Sequence, residues 1–539
     1  MKKKRFLAML LGILVASSSV QTVQAAPAKP HLYAVAAKSV LPQYSGDKAL
    51  PKSVDLRKRG LVTAVKDQSV DGTCWAHATL ASIETANMKD NPHIDLSERH
   101  LAYFMETDEF GAGIETQSII TGSNAANAVA LLSNWIGPVS ESKAPYNEEY
   151  GDNRSRKEVQ AEAELHVTGL HSVPLNYYST DFDEQQKAVK HLLDEDNSMY
   201  ISLNFDVLNS LNYETSAYYY DPDNISESNN CSHAVLLAGY DDNYPAENFL
   251  YPPKNDGAWL IKNSWGLENG DCGYYWVSYE EPTIDSLFYF DTQSSQLHDN
   301  LYAHDDFGGS GALSVSPDGD EVVYFSNVYC AEEDGYVTDV MIDCMFPSDC
   351  YEITIYTNLS NNSNPASGKA HRAASGVMDH TGYQIIKLNK PVQINCGEFF
   401  SVAAKVSGEK GFHATCELAN NHPESPVPSG STAYSSYPYY GDTSPFINTK
   451  KNIMMSFGEN QSFISEDGKK WTDIYNLYSE ENNQIIGNVC LKALSVKKGA
   501  VHFSSYSSSL PVGSEILLSC ADSSDIYSKR QKILKNKQI

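Results

Sequence analysis

The stretch from Gln68 to Ala78, QSVDGTCWAHA, decides the fold of the first half of this chain. Cys74 follows Gly72 and opens a run of small and apolar residues, Ala76 to Met88, which has the i, i+3 and i+4 spacing of a helix. A thiol in the first turn of a helix lies at the positive end of the helix dipole, which favours the thiolate. The stretch therefore predicts a helix that begins with a reactive cysteine.

Four other side chains offer the groups that a thiol nucleophile needs. His233 opens an apolar strand, so a base at this position would be held in one place, and Asn263 follows a second apolar strand. The Asn263 oxygen would accept the second imidazole proton and orient the ring, while Trp265 would shield that hydrogen bond from water. Gln68 lies in a polar loop before Cys74, where its amide would donate to a developing oxyanion.

Three segments resemble those of papain-family cysteine peptidases, and they occur in the family's chain order. They are VTAVKDQSVDGTCWAHA (62–78), CSHAVLLAGYDD (231–242) and GAWLIKNSWG (257–266). The resemblance covers roughly residues 50–290 and implies an α+β papain-like fold, with a helical half followed by a β-rich half. A predicted helix at 124–135 and predicted strands at 199–205, 234–239, 257–262 and 274–279 fit that order.

The resemblance also implies a role for each candidate residue. Cys74 would be the nucleophile that forms a thioester acyl-enzyme, and His233 the general base and acid. Asn263 would orient the imidazole, and Gln68 would contribute to the oxyanion hole. Trp265 matches the family's shielding tryptophan. The implied activity is hydrolysis of internal peptide bonds in proteins or peptides.

Three positions depart from the family pattern. Asp71 stands where the family has a cysteine, so the usual neighbouring disulfide cannot form. His77 replaces an aromatic residue and is either a second base or a packed helix residue, of which we favour the second. Gly122 and Ser123 resemble the glycine pair that lines the substrate cleft, with the second glycine lost.

The N-terminus is typical of an export signal. Lys2 to Arg5 are basic, Phe6 to Val15 are apolar, and Val23-Gln24-Ala25 offers a small-residue cleavage site. The apolar run is half of the ~20 residues that a membrane span needs. We expect residues 1–25 to be a signal peptide and the protein to be secreted, extracellular or associated with the cell surface. Residues 26–49 would be a short propeptide or extension, too short for a large inhibitory prodomain.

The second half has a different character. Residues 298–497 are predicted to form almost only strands, with turns rich in Gly, Asn, Ser and Pro, which indicates an all-β sandwich. They resemble the lectin-like β-domain that follows the peptidase in exported bacterial members of the family. That resemblance concerns the fold and leaves sugar binding open. Residues 498–539 resemble the opening strands of a truncated β-repeat.

Composition narrows the partners and cofactors. The formal net charge of −28 disfavours binding to nucleic acid, and no later apolar run is long enough to span a membrane. The chemistry needs no cofactor and no catalytic metal. Acidic clusters in the second half are either structural Ca²⁺ ligands or solvated turns, of which we favour the turns. These acidic residues are Asp305, Asp306, Asp318, Asp320 and Glu321.

Several alternatives stay open. The ten cysteines have no pairing that spacing alone fixes, and a Cys231–Cys272 disulfide is only one option. The chain is either the peptidase that we favour, a surface-binding protein on a non-catalytic scaffold, or a cell-wall amidase or transpeptidase. Asn263, rather than a second histidine or an aspartate, favours peptide hydrolysis. A cell-surface glycan or cell-wall component is a further candidate partner.

Overall fold

A computed structural model describes residues 31–33, 49–106, 123, 125–152, 154–221, 232–284, 286–306, 308–309, 311–316, 319–420, 458–477, 484–499, 501–503, 515–520 and 527–532. Two units contain most of them. The N-terminal unit, residues 49–294, combines helices with one large sheet, and the C-terminal unit, residues 300–497, is built from strands.

The helices are α1 (Cys74–Asn87), α2 (Glu98–Glu106), α3 (Ala125–Ser133), α4 (Arg156–Gln160), α5 (Phe182–Asp194) and α6 (Val207–Ser210). The strands of the N-terminal unit are β2 (Ser53–Asp55), β3 (Leu165–Val173), β4 (Met199–Asn204), β5 (Leu211–Asn212), β6 (Ala217–Tyr218), β7 (Ser232–Asp241), β8 (Ala258–Lys262), β9 (Tyr274–Ser278) and β10 (Ser286–Ser294), and β1 (His31–Tyr33) precedes them. Those of the C-terminal unit are β11 (Asn300–Tyr302), β12 (Gly311–Ser314), β13 (Asp320–Cys330), β14 (Gly335–Cys344), β15 (Cys350–Thr357), β16 (Lys369–Val377), β17 (Gly382–Ile394), β18 (Phe399–Gly411), β19 (Ala414–Asn420), β20 (Ser462–Ser465), β21 (Thr472–Asp473), β22 (Gln484–Val489) and β23 (Leu491–Lys497), and β24 (Val501–Phe503), β25 (Glu515–Cys520) and β26 (Tyr527–Lys532) follow.

The helix α1 is the centre of the N-terminal unit. Every residue from Trp75 to Thr85 is buried, because small side chains such as Ala76 and Ala78 let neighbouring elements approach from all sides. It packs against the strands β7 and β10 and the helix α3. The sheet beside it has the order β3-β10-β4-β7-β8-β9-β6-β5, and β2 also pairs with β7. The central strand β7 therefore lies directly behind α1, the helix that begins with Cys74.

The C-terminal unit is a β-sandwich. One sheet has the order β11-β23-β14-β17 and the other has the order β16-β15-β18-β13-β20-β21. Alternate apolar side chains of both sheets meet in one core, for example Phe325 and Val402 from the second sheet and Ile342 and Ile386 from the first. A third sheet, β1-β12-β19-β22, attaches residues 31–33 to this unit.

The two units share a hydrophobic core. Met341, Tyr383 and Leu494 of the C-terminal unit belong to the same buried cluster as α1, α2 and α3 of the N-terminal unit. Gly382 allows this approach, since its φ is +108° and a Cβ there would lie 2.1 Å from the Leu170 carbonyl oxygen. The second unit is therefore packed onto the first and is not merely tethered to it.

A buried ion pair, which we call the junction pair, lies at the same boundary. Lys492 Nζ is 2.5 Å from Asp305 Oδ2, and neither side chain is exposed. Lys492 Nζ also donates to Asn134 Oδ1 of the N-terminal unit at 3.3 Å, and Tyr383 donates to Asp305 Oδ2 at 2.6 Å. A charge enclosed in this way needs its partner, because an unpaired buried ion is costly.

The predicted fold class is confirmed. The helix predicted over 76–88 is α1, which begins two residues earlier at Cys74, and the helix predicted over 124–135 is α3. The four predicted strands of the first half are β4, β7, β8 and β9. The sequence patterns did not predict α2, α5, β3 or β10. Of the predicted signal peptide and of residues 26–49, only β1 and residue 49 lie within the described residues.

The last residues form a small sheet. Strands β24, β25 and β26 pair antiparallel in that order. The predicted resemblance to a β-repeat is therefore accompanied by strand structure, and the identity of this segment stays a prediction. No helix in the described part of the chain is long and apolar enough to cross a membrane.

Candidate active site

Cys74 is the first residue of α1. Its backbone N–H therefore has no acceptor within the helix and is available to an outside group. The sulfur lies against the start of β7, where it accepts a hydrogen bond from the backbone N–H of Ala234. The thiol is thus placed beside His233, the preceding residue of that strand, and is partly exposed to solvent.

His233 is held by Asn263. The distance from His233 Nε2 to Asn263 Oδ1 is 2.8 Å, and the oxygen also accepts from the backbone N–H of Ser264 at 2.7 Å. Because Nε2 donates to an amide oxygen, Nδ1 of the neutral ring carries the lone pair. The Trp265 ring stacks on the imidazole with centroids 4.7 Å apart, and Phe205 lies beyond at 5.7 Å. The ring orientation is therefore fixed on both its edge and its face.

Gln68 is brought to the same place by backbone pairing. Its backbone N–H donates to the Ser264 carbonyl at 2.8 Å, and Gly266 donates to the Lys66 carbonyl at 3.1 Å. The Gln68 side chain accepts from Ser264 Oγ at 2.7 Å and donates one Nε2–H to the Asp71 carbonyl at 2.6 Å. An amide nitrogen carries two hydrogens, so the second remains available to an oxyanion.

Burial acts on both members of the thiol–imidazole pair. It raises the pKa of the Cys74 thiol, an effect that the Ala234 N–H opposes. It also lowers the pKa of His233 to about 4, against the hydrogen bond to Asn263. Each charge alone is therefore disfavoured, whereas thiolate and imidazolium formed together attract one another. Transfer of the thiol proton to His233 is the route to the thiolate, and the N-terminal end of α1 favours it.

Tyr146 holds the loop before Cys74 through its hydroxyl group. Its hydroxyl lies 2.6 Å from Thr73 Oγ1, 3.0 Å from the Gln68 carbonyl and 3.1 Å from Asp71 Oδ2. The sequence patterns did not single out this tyrosine, since its partners are distant along the chain. Of these three contacts only that with Asp71 Oδ2 depends on the side chain at position 71.

His77 is a packed helix residue and not a second base in contact with the cleft. It is 5 % exposed, its Nδ1 donates to the Thr73 carbonyl at 2.9 Å, and its ring meets Tyr146 edge-on at 5.0 Å. Burial lowers the pKa of His77, although the Glu98 charge opposes this. The burial and contacts of His77 agree with the favoured interpretation of the sequence, a packed helix residue.

Other predicted positions are only partly described. Gly122 lies outside the described residues, and Ser123 is a partly exposed residue before α3, so their place in a substrate cleft stays a prediction. Cys231 also lies outside them, and no two cysteines of the described residues are bonded to each other. The disulfide proposal for Cys231 and Cys272 stays untested.

The favoured interpretation of the acidic residues as solvated turns is wrong for Asp305 and Asp306, which are buried and paired with cations, whereas Glu321 is exposed. Asp305 belongs to the junction pair, and Asp306 accepts from Arg156 at 2.7 Å. Asp320 accepts from Ser314 Oγ at 2.6 Å, while Asp318 lies outside the described residues. No group of three or more potential metal ligands occurs among the residues that the structure covers. Binding of Ca²⁺ stays a prediction.

Two sequence families match the chain. Residues 50–287 match the papain family cysteine protease, and residues 301–452 match the lectin like domain. The chain carries a papain-family domain followed by a lectin-like domain. The first of these domains contains Gln68, Cys74, His233 and Asn263, and the second comprises most of the C-terminal unit.

Individual relatives support this assignment. The viral cathepsin of Choristoneura fumiferana nuclear polyhedrosis virus is 30% identical over 228 residues, which are 42% of this chain and 59% of that protein. Procathepsin L of Mus musculus is 31% identical over 227 residues, again 42% of this chain and 59% of that protein. The chain therefore spans less than two thirds of the length of these curated relatives, and the match lies within the papain-family domain.

A solved structure shares both domains. The crystal structure of the cysteine protease and lectin-like domains of Cwp84, a surface layer associated protein of Clostridium difficile, has a TM-score of 0.65 and 20% sequence identity. The alignment covers 86% of this chain and 91% of that one. At this identity the likeness shows the fold alone.

Proposed function

We propose that this chain is an exported cysteine endopeptidase that hydrolyses peptide bonds through a Cys74 acyl-enzyme. The observation that carries the proposal is the 2.8 Å contact between His233 Nε2 and Asn263 Oδ1 under Trp265, since it leaves Nδ1 as the base beside the thiol. The papain-family match supports the same chemistry. The substrate is a protein or peptide chain, and no cofactor takes part.

The reaction would proceed by acyl transfer. The Cys74 thiolate attacks the scissile carbonyl carbon, and the oxyanion accepts from the Cys74 backbone N–H and the free Gln68 Nε2–H. The His233 imidazolium protonates the leaving amine, which gives a thioester. His233 then takes a proton from water, and the hydroxide attacks the thioester carbonyl. The C–S bond breaks, which releases the carboxylic acid product and leaves the Cys74 thiolate beside the His233 imidazolium.

The first test removes the nucleophile. We expect Cys74→Ala to abolish cleavage of denatured protein, a loss of at least about 10³-fold, with an unchanged thermal unfolding midpoint. The matched control is Cys330→Ala, which removes an exposed thiol of the sandwich and should keep full activity. Mass spectrometry of peptide-library products would measure both. Turnover by Cys74→Ala above one part in a thousand would refute the mechanism.

The location and the second domain belong to the same proposal. The basic and apolar N-terminal residues support export, and a resemblance to a surface layer associated protein favours a place at the cell surface. We further propose that the lectin-like domain contacts a glycan or a cell-wall component. Glycan-array binding by the full-length Cys74→Ala protein tests this, and an array without signal would leave the domain as structural support for the peptidase.

A further inference from the structure

A small cavity lies behind the catalytic residues. It has a volume of about 20 Å³, and space of roughly 10–15 Å³ is enough for one water molecule. His77 of α1, Asn263 and Ser264 are among the residues that line it. Four charged residues also line it, and we call them the cavity cluster: Lys66, Glu84, Glu98 and Lys262.

Two residues that line this cavity each have a buried polar atom without a hydrogen-bond partner. Among the described residues, no group hydrogen-bonds to His77 Nε2 or to Asn263 Nδ2. Both residues are deeply buried, with exposed fractions of 5 % and 2 %. An unpaired buried donor or acceptor costs about 1–3 kcal/mol, so native proteins rarely leave one without a water or a protein group.

The two atoms are chemically complementary through a water. Asn263 Oδ1 already accepts from His233 and Ser264, so the amide orientation is fixed and Nδ2 can only donate. His77 Nδ1 donates to the Thr73 carbonyl, so Nε2 of the neutral ring can only accept. One water would accept from the first atom and donate to the second, and the carboxylates of the cavity cluster offer an acceptor for its other hydrogen.

We propose that a water molecule in this cavity bridges Asn263 Nδ2 and His77 Nε2, and that His77 is thereby a positioning residue for the catalytic His233. The bridge holds the Asn263 amide, the amide holds the imidazole, and the imidazole faces Cys74. His77 does not touch the substrate. This assignment rests on the proposed function only for its effect on turnover, since the water itself is independent of catalysis.

The variants separate positioning from packing. His77→Phe keeps an aromatic ring on α1 but removes the acceptor, and we expect kcat to fall about tenfold with KM changed by less than about twofold, the effect of one lost hydrogen bond. His77→Gln places a carbonyl oxygen near the position of Nε2 and should restore most of the rate. The matched control is His100→Phe on α2, another deeply buried neutral histidine, which should leave kcat unchanged.

A positioning role also predicts a shift in the pH profile. The rate at which iodoacetamide alkylates Cys74 follows the amount of thiolate, and its acid limb reports transfer of the thiol proton to His233. A loosened Asn263 stabilises the imidazolium less, so we expect His77→Phe to move that acid limb to higher pH. The charged groups around His77, which are the cavity cluster and His233, are unchanged in His77→Phe, so they would not produce such a shift by themselves.

A crystal structure that resolves ordered waters is the direct test. A water within hydrogen-bonding distance of both atoms is expected, and a dry cavity would overturn the proposal whether or not the protein cleaves peptides. Unchanged kcat and alkylation profile in a stably folded His77→Phe would overturn the positioning role. Failure of the proposed function looks different: the wild type would not turn over, or Cys74→Ala would retain turnover, while the crystallographic water would still decide this inference.

Discussion

Two of the regions that bury charge in the described part of the molecule are built differently. The cavity cluster lies beside open space and includes Lys66, which keeps 22% of its side chain exposed, whereas the junction pair is sealed, with 0% for both side chains. In the cavity cluster, burial lowers the pKa of Lys262 to about 8 and raises the pKa of Glu84. Burial therefore disfavours the charged form of both side chains. The cavity cluster lies next to the active site, whereas the junction pair lies between the two domains.

The largest effect is expected from breaking the junction pair. Lys492→Met would leave the Asp305 carboxylate buried without a cation, and removing one partner of such a pair typically costs about 3–5 kcal/mol. Guanidinium unfolding followed by tryptophan fluorescence measures the loss. Lys497→Met is the matched control, because the exposed Lys497–Glu333 contact should contribute less than about 1 kcal/mol. Equal losses of unfolding free energy in the two variants would show that the buried pair stabilises the protein no more than the exposed pair.

A second substitution tests whether the uncompensated charge of Asp305 causes the loss of stability. Adding Asp305→Asn to Lys492→Met removes the stranded charge but keeps the size of the side chain. We expect the double variant to regain part of the lost stability, because the cost arises from the uncompensated ion rather than from the missing lysine. A double variant that is less stable than Lys492→Met would show that Asp305 contributes through its other contacts, such as that with Tyr383.

A smaller and pH-dependent effect is expected in the cavity cluster. Lys66 Nζ contacts Glu98 at 2.9 Å and Glu84 at 3.3 Å, and these charges raise its pKa although burial opposes them. Lys66→Met should cost about 2 kcal/mol at pH 8 and less at pH 5. Burial already raises the pKa of Glu84, and loss of the Lys66 charge would raise it further. Above pH 4.5 the folded variant would then keep a proton on Glu84 that the unfolded chain releases. The stability of the Lys66→Met variant therefore falls as the pH rises.

Unfolding curves at the two pH values measure this difference. Lys58→Met is the control, since Lys58 is exposed and, among the residues that the structure describes, forms an ion pair only with Asp55, at 3.3 Å. Its effect should stay below about 1 kcal/mol at both pH values. A deficit of Lys66→Met that is the same at pH 5 and pH 8 would argue against a titrating cluster.

The smallest effect concerns a third buried pair, in the sandwich. Burial alone would lower the pKa of His413, but its hydrogen bond and attraction to Asp349, 2.5 Å from Nδ1, raise it above 6.5. The stability from this pair is fully present below pH 6.5 and is lost as pH rises through the folded pKa. His413→Gln should therefore cost about 1 kcal/mol at pH 6 and progressively less towards pH 9, as thermal unfolding would show. A loss of stability in His413→Gln that grows with pH would contradict the raised pKa of His413.

The parts of the structure that lie near a motif were predictable. Periodicity indicated α1 and the apolar runs indicated β7 and β8, because each element carries its own pattern over a few residues. The amphipathic helix α5 was missed, although Val189, Leu192 and Leu193 are buried at helical spacing and gave a readable signal. The strands β3 and β10 are stabilised by pairing with each other across more than a hundred residues, which local patterns do not contain.

In the candidate site, too, the sequence predicted the residues that lie in motifs but not the contacts between distant segments. The motifs gave Gln68, Cys74, His233 and Asn263 as one constellation, and the structure brings them together. The contacts between distant segments had no sequence signal: Tyr146 holds Thr73 from 73 residues away, and Lys492 reaches Asn134 across 358. A side chain's spatial neighbours depend on the packing of whole elements, and hence on the completed fold.

The core shared by the two domains has a consequence for self-digestion. A peptidase at high concentration attacks exposed connections, and residues 295–299 join the two domains between β10 and β11, with Gln296 exposed and His298 buried. A cut there would not release the papain-family domain, because Met341, Tyr383 and Leu494 would still be buried against its helices. We expect a nicked protein to run as two bands on a denaturing gel and as one species in gel filtration, so that autolysis at this connection would leave the enzyme assembled.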